Sequence, residues 1–179
     1  MRARKVSPEV FYADELVVRV DCDDVTSLVA EADPMLRRRT RLCTHRSADD
    51  RLHEMLVVHH REAYVRAHRH LGKAESMHII MGETDLVLFD DVGKVTEVIG
   101  MGEFLSGRPF YYRMSEPIYH SLMIRSEWLV FHEVTSGPLR SEESEFAPWA
   151  PSDDDASAVQ AFLAATAYQL RTLRSRTSR

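Results

Sequence analysis

Apolar and polar positions alternate near the start of the chain. Val10, Phe11 and Tyr12, then Leu16, Val18 and Val20 between polar neighbours, predict a short hairpin over 9–21 that turns at Ala13-Asp14-Glu15. The period then lengthens: Val25, Leu28, Val29 and Ala32 fall on one helical face behind Asp23 or Asp24 as the cap, and Pro34 ends the helix. Residues 33–50 predict an irregular connection with a basic run at 37–39 plus Arg41. From 52 to 134 the pattern is one of strand-length runs, at 52–59, 63–70, 77–81, 86–89, 95–99, 110–114, 121–125 and 129–134, with Asp91-Val92-Gly93 as a hairpin turn. Short strands without interleaved helices predict an all-β sandwich or barrel, the jelly roll among them. A proline-containing tail covers 136–151. Ser152-Asp153-Asp154-Asp155 then opens a helix to about residue 172, with the stripe Val159, Phe162, Leu163, Ala167, Leu170 and Leu173 and arginines crowding its C-terminal end. That helix must cover the barrel wall or a partner subunit. The chain thus divides into an N-terminal hairpin, helix and basic loop (1–50), a barrel (51–151) and a C-terminal helix and tail (152–179).

Composition narrows the partners. A chain of 179 residues suffices for one domain with its own core. Its formal net charge of −5 argues against a nucleic-acid binder, and no run reaches the ~18 apolar residues of a membrane span. No apolar stretch follows the basic start Met1-Arg2-Ala3-Arg4-Lys5, so a signal peptide is not expected. Cys22 and Cys43 are too few for a disulfide framework, which suits a reducing cytoplasm, and both are expected as buried or inert thiols.

The chemistry concentrates in His68-Arg69-His70-Leu71-Gly72-Lys73-Ala74-Glu75. Residues two apart on a strand share a face, so His68 and His70 project together, and Glu75 can fold back to them after a turn at Gly72. His120, at the start of a later strand, can close the set. Three imidazoles and a carboxylate suit one divalent transition-metal ion, iron first, with manganese, nickel, copper or zinc as alternatives. Four protein ligands leave coordination positions open for substrate, water or oxygen.

The histidine pair, the spacing to Glu75 and the spacing on to Gly82 form the first cupin motif, and Tyr119-His120 stands where the second motif ends. Glu62 and Pro117 occupy positions where cupins usually carry turn glycines. More closely, the chain resembles the WbuC-type cupin-fold metalloproteins, found among genes for bacterial surface polysaccharides. The segments that carry this likeness include Val10-Phe11-Tyr12-Ala13-Asp14, Arg41-Leu42-Cys43, Phe110-Tyr111-Tyr112-Arg113, Val130-Phe131-His132-Glu133 and Phe146-Ala147-Pro148-Trp149. The resemblance implies a cupin (double-stranded β-helix) barrel, the ligand set His68, His70, Glu75 and His120, and a homodimer. It implies no particular reaction.

Around the ligands, alternation places Tyr64 and Arg66 on the ligand face. Arg66 is then either an anchor for an anionic substrate or a paired arginine at the barrel mouth. Either Tyr112 or the Tyr111/Arg113 pair points inward, with Tyr112 a candidate proton donor. His132 and Glu133 face opposite ways, so only one sees the metal, and His132 is weighed as a partner behind a ligand against the expected role of a satisfied core histidine. His59 and His60 are expected to be structural, and the basic run to be solvated or to meet a nucleotide-sugar diphosphate. The functional expectation is a mononuclear-metal enzyme on a small polar or anionic molecule, with an iron(II)-dependent oxygenase as its first form. The alternatives are a non-redox isomerase, epimerase or lyase on a sugar, or a non-catalytic ligand-binding module.

Overall fold

The computed structural model describes residues 1–138, 140 and 143–177. Its N-terminal hairpin pairs β1 (Ala3–Ser7) with β2 (Val10–Ala13), so the expected hairpin over 9–21 is displaced toward the N-terminus. Leu16 and Val17 are 92% and 72% exposed and pack on nothing. Charge, which apolar periodicity does not register, holds β1 in place. The Met1 ammonium meets Asp24 Oδ1 at 3.0 Å, and Lys5 Nζ meets Glu31 at 2.7 Å while lying over the Phe11 ring. Helix α1 (Cys22–Ala32) starts two residues earlier than a cap at Asp23 allows, and three earlier than one at Asp24. Asp21 accepts from the Asp23 and Asp24 amides, and Asp24 Oδ2 accepts from the Asp21 amide, a reciprocal capping box. Leu28 and Ala32 are buried against Leu42, Leu56, Val58 and Val130, as the periodicity requires. Cys22, at the helix start, is exposed, whereas Cys43 is buried.

The connection expected to be irregular contains β3 (Arg39–Cys43), parallel to β2 and antiparallel to β4 (Leu52–His60). The remaining strands are β5 (His68–His70), β6 (Glu75–Met81), β7 (Glu83–Phe89), β8 (Val95–Gly102), β9 (Tyr111–Met114), β10 (Tyr119–Ile124), β11 (Trp128–Ser136) and β12 (Ser144–Phe146). They form two sheets, in the orders β1-β2-β3-β4-β11-β6-β9 and β12-β5-β10-β7-β8. The predicted strand over 63–70 survives only as β5. Residues 63–67 lie outside any ladder, their carbonyls taken by the Ser121 hydroxyl (on Val65) and the Ala147 amide (on Ala67). Between β6 and β7 the chain turns through Gly82 at φ +89, where a Cβ would sit 2.3 Å from the Trp128 carbonyl oxygen.

The inner faces of the two sheets pack Met55, Val57, Met77, Ile79, Leu86, Met101, Leu122 and Phe131 into one core. Above that floor the sheets part around a cavity of about 510 Å³. The outer face of the smaller sheet carries helix α2 (Ala156–Thr177), which buries Leu170 beside Phe89, Val95, Ala147 and Ala150, with Val159 buried as well. Gln169 Oε1 accepts from the Val95 amide at 3.0 Å, tying the helix to β8. The helix therefore covers the barrel wall. The arginines that crowd its end lie, beyond Arg171, outside the described side chains.

Candidate metal centre

Antiparallel pairing of β5 with β10 sets His68 directly opposite His120, and His70 follows one inward position along. Glu75 comes from the other sheet, after a turn through Gly72 at φ +67. Its carboxylate reaches across: Oε2 lies 3.0 Å from His70 Nε2 and Oε1 lies 3.2 Å from His120 Nε2. One ring nitrogen from each of the three imidazoles lies within 4.8 Å of the other two. Metal–ligand bonds of about 2.0–2.2 Å put opposed donors roughly 4 Å apart, so the three imidazoles can close on one ion, with the Glu75 carboxylate against two of them.

The outward-facing ring nitrogens fix how the imidazoles present themselves. His68 Nδ1 lies 2.8 Å from the Arg66 carbonyl oxygen and His120 Nδ1 lies 2.9 Å from that of Ile118. A carbonyl only accepts, so both Nδ1 atoms carry the proton, and in the neutral ring Nε2 keeps a lone pair, which in His120 faces Glu75. His70 Nδ1 is held at 3.1 Å by the Ser144 hydroxyl. This backing of ring nitrogens by oxygen acceptors orients imidazoles for metal ligation.

Burial, then the nearby His120, pushes His68 down to about 4, so it is a neutral donor. Against the burial that would raise it, the hydrogen bond from His70, the charge of His120 and the Tyr112 hydroxyl hold Glu75 down at about 2, ionised. Tyr112 donates to Glu75 Oε1 at 2.7 Å, and burial together with that carboxylate raises its phenol well above the usual range. Glu133, one strand over from Glu75 on β11, also faces the cavity, and burial followed by the Glu75 charge lifts it to about 7.

Of the residues singled out from sequence, Tyr112 faces inward, and Tyr111 and Arg113 are exposed. Arg66 corrects the expectation for it. With 63–67 out of the ladder, strand alternation does not reach it: its Nε donates to the Ala150 carbonyl at 3.1 Å and its guanidinium lies over Phe146. It lines a depression that adjoins the central cavity and shares His68, Arg37, Arg39 and Phe146 with it. Tyr64 likewise donates to the Pro151 carbonyl at 3.1 Å, so both residues hold the tail. On β11 it is Glu133 that sees the cavity, while His132 turns outward with Nε2 3.9 Å from Glu54. His59 lines the cavity. Alternation along β11 already required one of His132 and Glu133 to point inward; the register with β6, which sequence does not supply, chooses Glu133.

The larger of these features recur in known structures. Protein SO0799 from Shewanella oneidensis is 10% identical, over 72% of this chain and 85% of that one, with a TM-score of 0.53. The barrel is a double-stranded β-helix of two facing, mainly antiparallel sheets. An uncharacterized conserved protein with a double-stranded beta-helix domain from Klebsiella pneumoniae subsp. pneumoniae is 14% identical, over 61% of this chain and 79% of that one, with a TM-score of 0.47. A mutant of Bacillus subtilis oxalate decarboxylase is 18% identical over 54% of this chain, with a TM-score of 0.42; only 24% of the decarboxylase is covered. At such identities the likeness is one of fold. A family model described as a domain of unknown function, DUF6016, matches residues 20–101. No curated protein matches the chain. Among the described residues no helix is long and apolar enough to cross a membrane.

Proposed function

We propose that this chain is a mononuclear-metal cupin enzyme, with His68, His70, Glu75 and His120 as the ligands of one divalent ion and a small polar molecule as substrate. The observation that carries this reading is the pair of carbonyl-bound Nδ1 atoms in His68 and His120, which leaves two Nε2 lone pairs within one three-histidine cluster, that of His120 facing an ionised Glu75. An ion at that point supplies a Lewis-acidic centre with positions open to the cavity. The protein's own groups do the rest: Tyr112 steadies Glu75, and Glu133, lifted to about 7, can take or give a proton across the cavity.

Iron(II) and oxygenase chemistry are the first form of this proposal, since three imidazoles and one carboxylate suit iron. The acid–base pair Tyr112 and Glu133 favours a second form, a non-redox isomerase, epimerase or lyase. The segments shared with WbuC-type proteins support a sugar-derived substrate for that form, and a cytoplasmic homodimer belongs to the same reading. Oxygen uptake by anaerobically iron-loaded protein, measured against a panel of sugars and small hydroxy acids, separates them. Uptake that needs both iron and substrate supports the oxygenase. Turnover with zinc and without oxygen supports the non-redox enzyme. No turnover with any ion tells against catalysis.

A further inference from the structure

The wall of the cavity built from β3 carries charge where the rest of its inner face is apolar. In the register across the larger sheet, Val10, Arg41, Val57, Phe131 and Ile79 occupy one inward-facing row. Arg41 is the only charged member of that row, and it is exposed to the open cavity that it lines. Its neighbours at the rim are already neutralised. Arg39 Nε meets Glu9 Oε2 at 3.0 Å, and Arg37 pairs with Asp153 and lies 3.7 Å from Glu9. Among the described residues no carboxylate lies within ion-pair distance of the Arg41 guanidinium; its charge reaches across the cavity to Glu133, whose pKa it lowers, and its backbone amide is taken by the Glu9 carbonyl. Diagonally across on β4, opposite Arg39, stands His59, 9% exposed, whose Nδ1 is buried without a hydrogen-bond partner. After burial, the Arg37 and Arg41 charges are what hold that imidazole down at about 4, so it is a neutral ring near the Arg41 guanidinium.

We propose that Arg41, with His59 near it, is an oxyanion subsite: the cavity takes a small molecule bearing a carboxylate or phosphate at the end away from the candidate metal centre. An unpaired guanidinium facing a partly desolvated cavity recognises two oxygens of one anion in a forked, charge-assisted geometry. The row of Glu75 and Thr135 lies two inward rows beyond that of Arg41, roughly 13 Å along the strands before the side chains reach inward. A molecule of several bonds' length is therefore needed to occupy both ends, which excludes a simple monoatomic anion as the natural occupant. This deepens the reading given above for the same cavity and rests on it for the second end of the molecule only.

The test is run on full-length protein stripped of metal, so that its outcome does not depend on the metal assignment. Inorganic phosphate and succinate are titrated separately while backbone amide resonances are followed. The proposal expects one or both to shift the amides of Arg41, Val57 and His59 saturably. Arg41→Gln should weaken that binding at least tenfold, and Arg113→Gln, an outward-facing arginine on β9, should leave it unchanged. Phosphate alone or succinate alone identifies which oxyanion the subsite prefers, and either supports it. Should Arg41→Gln not fold, Arg41→Lys keeps the charge but loses the fork and should weaken binding severalfold. Shifts confined to other surfaces, or equal affinity in wild type and the Arg41 variants, overturn the proposal.

Discussion

Glu75 Oε1 stands 3.2 Å from His120 Nε2, although the other nitrogen of that ring already donates to the Ile118 carbonyl. In the neutral ring these are two acceptors face to face, and only a positive charge between them, or on the ring, makes the approach favourable. His68 Nδ1 donates in the same way to the Arg66 carbonyl. Two clustered imidazoles locked into the same tautomer, one of them against a carboxylate, suit a cation.

Tyr112 tests how far this site depends on what stands behind its ligands. Tyr112→Phe removes the 2.7 Å hydrogen bond to Glu75 and little else. We expect metal affinity, read by competition with a chelator, to fall about 10–100-fold, the usual cost of losing a group that orients a ligand. An unchanged affinity would mean that the phenol only fills space.

His59 sets part of the acid limb of stability. Its folded value of about 4 lies below the ordinary 6.5, so the unfolded chain binds its proton first as pH falls. The stability it permits is complete above 6.5 and is lost between 6.5 and about 4, at most by about 3 kcal/mol. His59→Gln should therefore flatten the stability profile over that window, measured by urea unfolding. Parallel profiles for wild type and variant would contradict the assignment.

The barrel and the ligand spacing were legible in the sequence because period-2 alternation and the His68–His70–Glu75 interval are local properties. Arg66 was misplaced because alternation holds only while a ladder continues, and the ladder ends before His68 where the Val65 and Ala67 carbonyls are taken by the Ser121 hydroxyl and the Ala147 amide. Glu133 and Arg41 were visible as residue types, but their inward direction depends on cross-strand register, which one sequence does not encode locally. Strand β1 was missed for a different reason: ion pairs to Asp24 and Glu31 hold it, and no apolar pattern marks them.

Arg66→Ala should leave metal content unchanged, because the carbonyl that orients His68 belongs to the backbone and survives the substitution. The lost hydrogen bond to Ala150 and the contact with Phe146 should cost about 1 kcal/mol of stability. Loss of metal from this variant, with the fold retained, would return Arg66 to the site.

Leu170 is 1% exposed where α2 seats on the barrel wall. Leu170→Ala should lower unfolding stability by about 2–5 kcal/mol, as for other buried leucines. A loss below about 1 kcal/mol would show that the helix contributes little to the barrel.

The central claim is that one ion sits among His68, His70, Glu75 and His120. Its most direct test is elemental analysis of protein purified without added metal and of protein reloaded with iron(II), manganese(II) or zinc(II), beside His120→Ala treated identically. We predict close to one divalent ion per chain in the wild type and almost none in the variant, with both giving the same far-ultraviolet circular dichroism. A variant that keeps its ion, or a folded wild type that retains none of the three, would contradict it.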